Sequence, residues 1–169
     1  MERLEEMRKE QWGEARLGGL VPLVELVKPK RVLEIGAYAG VSAEVFLLHG
    51  AEVTSVDPWP NWLSDVFEAC KRRLKSYGKW RFVRGESPGA LAPLADGSFD
   101  LVYIDGDHKY FAVRADIQAV RRLVAPGGWI GGHDYGGPDT PGVKPAVDEL
   151  LGLPAHIFPD SNFLCGPYP

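Results

Sequence analysis

Only two of the 169 residues are cysteine, Cys70 and Cys165, and neither sits in a metal-binding spacing. Two cysteines can close at most one disulfide, and a cytoplasmic chain with two reduced thiols is the simpler reading. Positive charge is also short: 19 Lys and Arg face 23 Asp and Glu, a formal net charge of −4. That sign argues against a protein that coats nucleic acid through its overall field. No run approaches the ~20 continuous apolar residues of a membrane span. The opening MERLEEMRKEQ is charged where a secretory leader would be apolar, so no leader is expected. Internal repeats and low-complexity tracts are missing as well. So is one glycine: the turn in RVLEIGAYAGVS (31–42) keeps Gly36 and Gly40 but lacks the G-x-G-x-x-G of a dinucleotide site.

What is present is enough for one α/β domain. Hydrophobic residues make up 45% of the chain, which suffices for a core at this length, and a second domain of ordinary size would not fit. Residues 1–169 therefore read as a single domain, with 1–27 as a leading helix or two, broken around Gly13, Gly18 and Gly19. The remainder, 30–166, alternates strand and helix. Strands are expected at Arg31–Ile35, Ala51–Val56, Trp80–Arg84, Phe99–Ile104 and Trp129–Gly132. Helices are expected at Ser42–Leu48, Trp62–Tyr77, His108–Val124 and Lys144–Leu151. Ala155–Phe158 and Asn162–Cys165 read as a closing hairpin. The pattern predicts an α/β, Rossmann-like doubly wound sheet, mostly parallel and seven-stranded, with a C-terminal antiparallel hairpin.

Ligands of such sheets bind beyond the carboxyl ends of the strands. Those ends read Glu34, Asp57, Glu86, Asp105 and Asp134, one acid after each of the first five strands. A single acid there commonly caps the next helix; five in succession point to a functional rim. An acid beside the glycine turn would repel a pyrophosphate and suits a ligand that brings positive charge. Gly36 and Gly40 lack the Cβ that would keep a ligand from the backbone N–H groups. Asp57, about 20 residues past the turn, can accept hydrogen bonds from both ribose hydroxyls of an adenosyl ligand.

The segments LEIGAYAGVSA, DLVYIDGDHKYFAVRADI, GGWIGGHDY and PGVKPAVDEL, in this order, resemble the class I S-adenosylmethionine-dependent methyltransferases. Among these the chain is similar to the small-molecule group of catechol O-methyltransferase and macrocin O-methyltransferase-like proteins. The resemblance implies transfer of a methyl group from S-adenosyl-L-methionine to a hydroxyl of a small molecule. It implies that Glu34, Gly36, Tyr38 and Ser42 surround the methionine part, that Asp57 takes the ribose, and that Glu86 and Ser87 lie beside the adenine. It sets Asp105 near the sulfonium and lets Trp12 and Gly13 close over the cofactor.

At the reacting end the same resemblance implies a magnesium ion on Asp105 and Asp134, with a third ligand directly after the second acid. Here that position is Tyr135, a poor ligand for an ion that demands hard oxygens in octahedral array, so a divalent cation is left open. His133 or Asp107 would complete a site for a softer ion. His108 falls where the family places its catalytic lysine. As general base, helped by Asp134, His133 or a metal, it could take the acceptor's proton, since an unperturbed histidine titrates near ~6.5.

The basic run Lys71, Arg72, Arg73, Lys75, Lys79, Arg81 and Arg84 reads as the solvated face of a helix and strand, not a nucleic-acid surface. In Trp59-Pro60-Asn61-Trp62 the aromatics either flank the ligand or pack in the core. Alternatives to the main reading are a methyltransferase for nucleic acid or protein, an NAD-dependent oxidoreductase, and a cofactor-binding module without activity. A homodimer whose N-terminal helix covers the partner's pocket is compatible with so short a chain.

Overall fold

The structure, a computed structural model, describes residues 2–9 and 13–169. Two helices lead, α1 (Glu2–Lys9) and α2 (Gly13–Val27). Then follow β1 (Arg31–Ile35), α3 (Val41–Leu48), β2 (Glu52–Asp57), α4 (Ser64–Leu74), β3 (Trp80–Arg84) and β4 (Phe99–Ile104). The chain closes with α5 (Tyr110–Val120), β5 (Val124–Gly132), α6 (Val143–Leu151), β6 (His156–Ile157) and β7 (Phe163–Cys165). All seven strands form one sheet in the order β3-β2-β1-β4-β5-β7-β6. The first five are parallel, and β7 runs antiparallel to both β5 and β6.

Strand side chains alternate between the two faces, and both faces are covered. Val32, Val53 and Leu101 pack on one side with Leu20 and Leu23 of α2 and Phe46 of α3. Leu33, Ile35 and Val102 pack on the other with Val113 and Ile117 of α5 and Val147 of α6. Between β1 and β4 the strand order turns round, so the loops after these two strands part and leave a crevice at their carboxyl ends.

Several elements depart from expectation. Helix α2 runs unbroken through Gly18, Gly19 and Pro22. Proline lacks an N–H, so the Gly18 carbonyl loses its usual partner. The Gly19 N–H donates to Asp160 Oδ2 at 2.6 Å, and a Cβ on Gly19 would collide with Asp160 and Phe158. The glycine that looked like a breaker is where the C-terminal hairpin loop seats. Helix α4 begins later than Trp62, after a single 3-10 turn over Asn61–Leu63. Helix α5 starts after an extended Lys109, so His108 lies in the preceding turn. Val124, expected as helix, pairs with Phe99 and opens β5, whose register shifts between Phe99 and Leu101 to absorb Pro126-Gly127-Gly128.

Candidate active site

The crevice is a cavity of about 760 Å³, lined from the loops after β1, β2, β3, β4 and β5, a size suited to a small organic ligand. Six acids reach its wall, Asp57, Glu86, Asp105, Asp107, Asp116 and Asp134, and no lysine or arginine does among the described residues.

Gly36 closes the floor. Its φ of +86° is a conformation that favours glycine, and a Cβ there would strike the Asp105 carbonyl. The Gly36 N–H reaches Val56 O at 2.9 Å and the Asp105 N–H reaches Ile35 O at 2.8 Å, so the three strand-end loops are laced together. Gly40 has a different task from the one expected. A Cβ at Gly40 would press on Cys70 and Leu74 of α4, both atoms 2.9 Å away, and Gly40 does not line the cavity. Its missing side chain serves helix packing.

Asp57 is fixed by two backbone donors: Tyr38 N–H to Oδ2 at 2.9 Å and Trp59 N–H to Oδ1 at 2.8 Å. Each carboxylate oxygen keeps a further lone pair for a ligand hydroxyl. Tyr38 and Trp59 adopt positive φ, 46° and 34°, to bring those N–H groups to bear. The two tryptophans of the 59–62 segment divide the roles left open: Trp59 is buried against Phe67, and Trp62 stands 81% exposed on the cavity rim.

Glu34 requires correction. Its side chain is buried beneath the wall and is not part of the lining, because the pleat of β1 turns it to the α3 side of the sheet. Its carboxylate accepts hydrogen bonds from Ser42 and from Ser55 Oγ, the latter at 2.6 Å. Burial pushes its pKa up to about 7. Glu34 meets the cavity through Ser42, which it holds and which does line the wall. Tyr38, Ser42, Glu86 and Ser87 all reach the lining. Trp12 lies outside the described residues, and Gly13 enters only as the first residue of α2.

At the opposite end, His108 Nε2 lies 3.2 Å from Asp105 Oδ1 and 3.1 Å from Asp134 Oδ2. His133 Nδ1 meets the same Asp134 oxygen at 3.1 Å. The hydrogen bond to Asp105, opposed by burial and aided by the charge of Asp134, holds His108 above the usual histidine range. Asp134 is correspondingly held below the carboxylate range, chiefly by His133. Tyr135 is turned away: its hydroxyl donates to Asp148 Oδ1 at 2.6 Å and accepts from Lys144 Nζ at 3.2 Å. Ligand atoms of Asp105, His108 and Asp134 all fall within 4.8 Å of one another. The expected pair of acids is thus joined by a histidine, while neither Tyr135 nor Asp107 completes the set; Asp107 bonds Lys109.

Most of the basic run is exposed as expected, Arg72, Lys75, Lys79, Arg81 and Arg84 among it, and two members also serve the fold. Arg73 binds buried Glu44 at 2.6 Å, and Arg84 packs over Phe67 and bonds the Pro58 and Trp59 carbonyls. One lining acid escaped the reading of strand ends. Asp116 sits on α5 between Val113 and Ile117, on the buried stripe itself. An acid at an apolar position of a helix is the signal that could have found it.

A sequence-family model described as a methyltransferase domain matches residues 33–135. The chain is 34% identical over 118 residues to a Mycobacterium sp. (strain JLS) protein named "Putative O-methyltransferase", covering 66% of this chain and 51% of that one. It spans about half the length of the curated relatives it matches. Among solved structures, the Bacillus cereus O-methyltransferase in complex with SAH superposes with a TM-score of 0.67 at 17% identity, over 97% of this chain and 88% of that one. An SAH-bound Podospora anserina methyltransferase superposes with a TM-score of 0.66 at 20% identity, over 96% and 84%.

Proposed function

The chain belongs to the methyltransferase-domain family, and from that premise we propose that it moves a methyl group from S-adenosylmethionine to a hydroxyl of a small molecule. Residues 30–166 are the catalytic core in this reading, and 1–27 an N-terminal helical segment. The observation that carries it is one continuous cavity whose wall holds both Asp57 and the Asp105–His108–Asp134 cluster.

The residues present suit an adenosyl sulfonium ligand. A wall with six acids and, among the described residues, no lysine or arginine complements a sulfonium and an ammonium. Asp57 offers two prearranged acceptors to a ribose diol. The first turn of α3, through Val41 and Ser42, presents backbone N–H groups and the positive end of a helix dipole to a carboxylate. When bound, the sulfonium supplies an activated methyl whose transfer leaves a neutral thioether. The acceptor hydroxyl gives its proton to the His108 imidazole as its oxygen forms the new bond to carbon; with Nε2–H donating to the two carboxylates, the accepting nitrogen is Nδ1. Asp105 and Asp134 hold the imidazole in place and stabilise its charged form.

Because His108 is held above 6.5 and a base must be neutral to act, turnover rises with pH through that elevated value. His108→Ala lowers turnover about 100-fold or more while leaving affinity for S-adenosylhomocysteine within about threefold; equal loss of both would remove the assignment. The acceptor class is tested by release of S-adenosylhomocysteine across phenols, sugars and hydroxylated metabolites.

A second reading rests on the same triad. Two carboxylates and an imidazole fit a divalent cation, and the nitrogen favours a first-row transition metal over magnesium. Such an ion would lower the pKa of the acceptor hydroxyl, and His108 would then serve as ligand. Turnover abolished by a chelator and restored by manganese favours this reading; chelator-insensitive turnover favours the base. A small-molecule acceptor is preferred to nucleic acid because Arg73 and Arg84 are engaged in the fold. No described helix is long and apolar enough to cross a membrane, and the unpaired, buried Cys70 and Cys165 suit a reducing cytoplasm.

A further inference from the structure

On the side of β3 and α5 the cavity is lined by Gly85, Ser87, Ala112 and Asp116, with Pro58 and Gly106 from the loops after β2 and β4. If Asp57 takes the ribose, the base of the ligand occupies this end, and the role of these residues therefore rests on the methyltransferase reading. The polar side chains there are few and mostly engaged. Asp107 is exposed and bonds the Lys109 backbone at 3.0 Å and its Nζ at 3.3 Å. Ser87 spends its hydroxyl proton on Asp116 Oδ1. Glu86 is exposed. Asp116 is different: it is 4% exposed, and Ser87 is its one hydrogen-bond partner among the described residues.

A buried carboxylate without a cation is costly to retain where a valine would pack. Asp116 holds such a position on the apolar stripe of α5, and methyl transfer at the far end of the cavity has no use for it. An ionised carboxylate only accepts hydrogen bonds. Its natural partner at the base end is therefore a neutral N–H donor. We infer that Asp116 reads the base, accepting a hydrogen bond from the exocyclic amine of adenine and rejecting a purine that carries a carbonyl at that position. Oδ1 is steadied by Ser87, which fixes the carboxylate plane and leaves Oδ2 for the ligand. Burial pushes Asp116 up to about 6, so near neutral pH it is mainly in the accepting form. The competing explanation, a tether between the loop after β3 and α5 made through Ser87, predicts no such selectivity.

The test is calorimetry of the full chain at about pH 8 with S-adenosylhomocysteine and its hypoxanthine counterpart, S-inosylhomocysteine. The wild-type chain is expected to prefer the adenine compound by about tenfold or more; a smaller preference overturns the inference. Asp116→Asn can turn an amide N–H toward the carbonyl, so the preference should fall by about threefold or more. A smaller fall in that folded variant also overturns it. Should the asparagine variant not fold, Asp116→Ala removes the acceptor with less bulk and carries the same expectation. A wild-type chain that binds neither compound removes the methyltransferase reading and this inference together, whereas equal binding of both removes this inference alone.

Discussion

Glu34 and Glu44 stand ten residues apart in the first strand–turn–helix unit, both buried, and keep opposite company. Glu44 receives Arg3 at 2.9 and 3.1 Å, Arg73 at 2.6 Å and the Tyr77 hydroxyl at 2.8 Å, so α1, α3 and the end of α4 converge on one anion. Glu34 receives two serine hydroxyls and has Asp105 and Asp57 as its charged neighbours. Around Glu44 burial is outweighed by hydrogen bonds and positive charge, and its pKa is lowered. At Glu34 burial prevails, and the pKa rises to about 7. Cations are thus available to this fold, and among the described residues no lysine or arginine lines the cavity. The acids there are left for a ligand to satisfy.

The largest expected effect breaks the first half of the comparison. Glu44→Ala removes the anion on which both guanidinium groups converge, and should cost about 3 kcal/mol in denaturant unfolding. This is the low end for a buried pair, because the Arg3 and Arg73 side chains remain 35% and 20% exposed. Affinity for S-adenosylhomocysteine should change little.

A smaller effect, of opposite sign, comes from Glu34. Its folded pKa is raised from 4.5 to about 7, so the folded state binds more protons than the unfolded one between those values and loses stability as pH climbs through them. Glu44, with a lowered pKa, contributes stability present above 4.5 and lost as pH falls through its folded value. Wild-type stability should therefore decline on both sides of an acidic optimum. Glu34→Gln, which can still bond both serines, should flatten the upper limb and gain about 2 kcal/mol at neutral pH and above. An unchanged upper limb would show that Glu34 is not the group responsible.

Smallest is the loss at Asp57. Asp57→Asn sets an amide against one of two backbone donors and weakens S-adenosylhomocysteine by about tenfold, ~1.4 kcal/mol. It separates ligand-holding acids from fold-holding ones if unfolding changes less than for Glu44→Ala.

Much of the frame is legible in residue order. β1 and β4 fall on the segments that short apolar runs mark, because strands covered on both faces write their burial directly into the sequence, whereas β3, at the sheet edge with no residue buried, is marked by alternation of Trp80, Phe82 and Arg84 with their neighbours. The acids at strand ends are legible too, since parallel strands place those ends on one rim. What local pattern cannot show is which way an acid turns and what fills the space opposite a glycine. Glu34 faces under the sheet because of the pleat, and its pKa depends on Ser55, a residue 21 positions away. Gly19 and Gly40 read as breaker and ligand turn, yet their missing side chains make room for Asp160 and for Cys70 and Leu74. Those partners are distant in sequence. Asp116 was visible as an acid on an apolar stripe, but its pairing with Ser87 exists only once α5 lies over the loop after β3.

The central claim is that an acid-walled cavity, lined by no lysine or arginine among the described residues, takes an adenosyl sulfonium donor. Calorimetric titration of the wild-type chain with S-adenosylmethionine, S-adenosylhomocysteine and NAD tests it most directly. One adenosyl ligand bound per chain, with no heat from NAD, is the predicted result; NAD binding in the absence of either adenosyl ligand would contradict it.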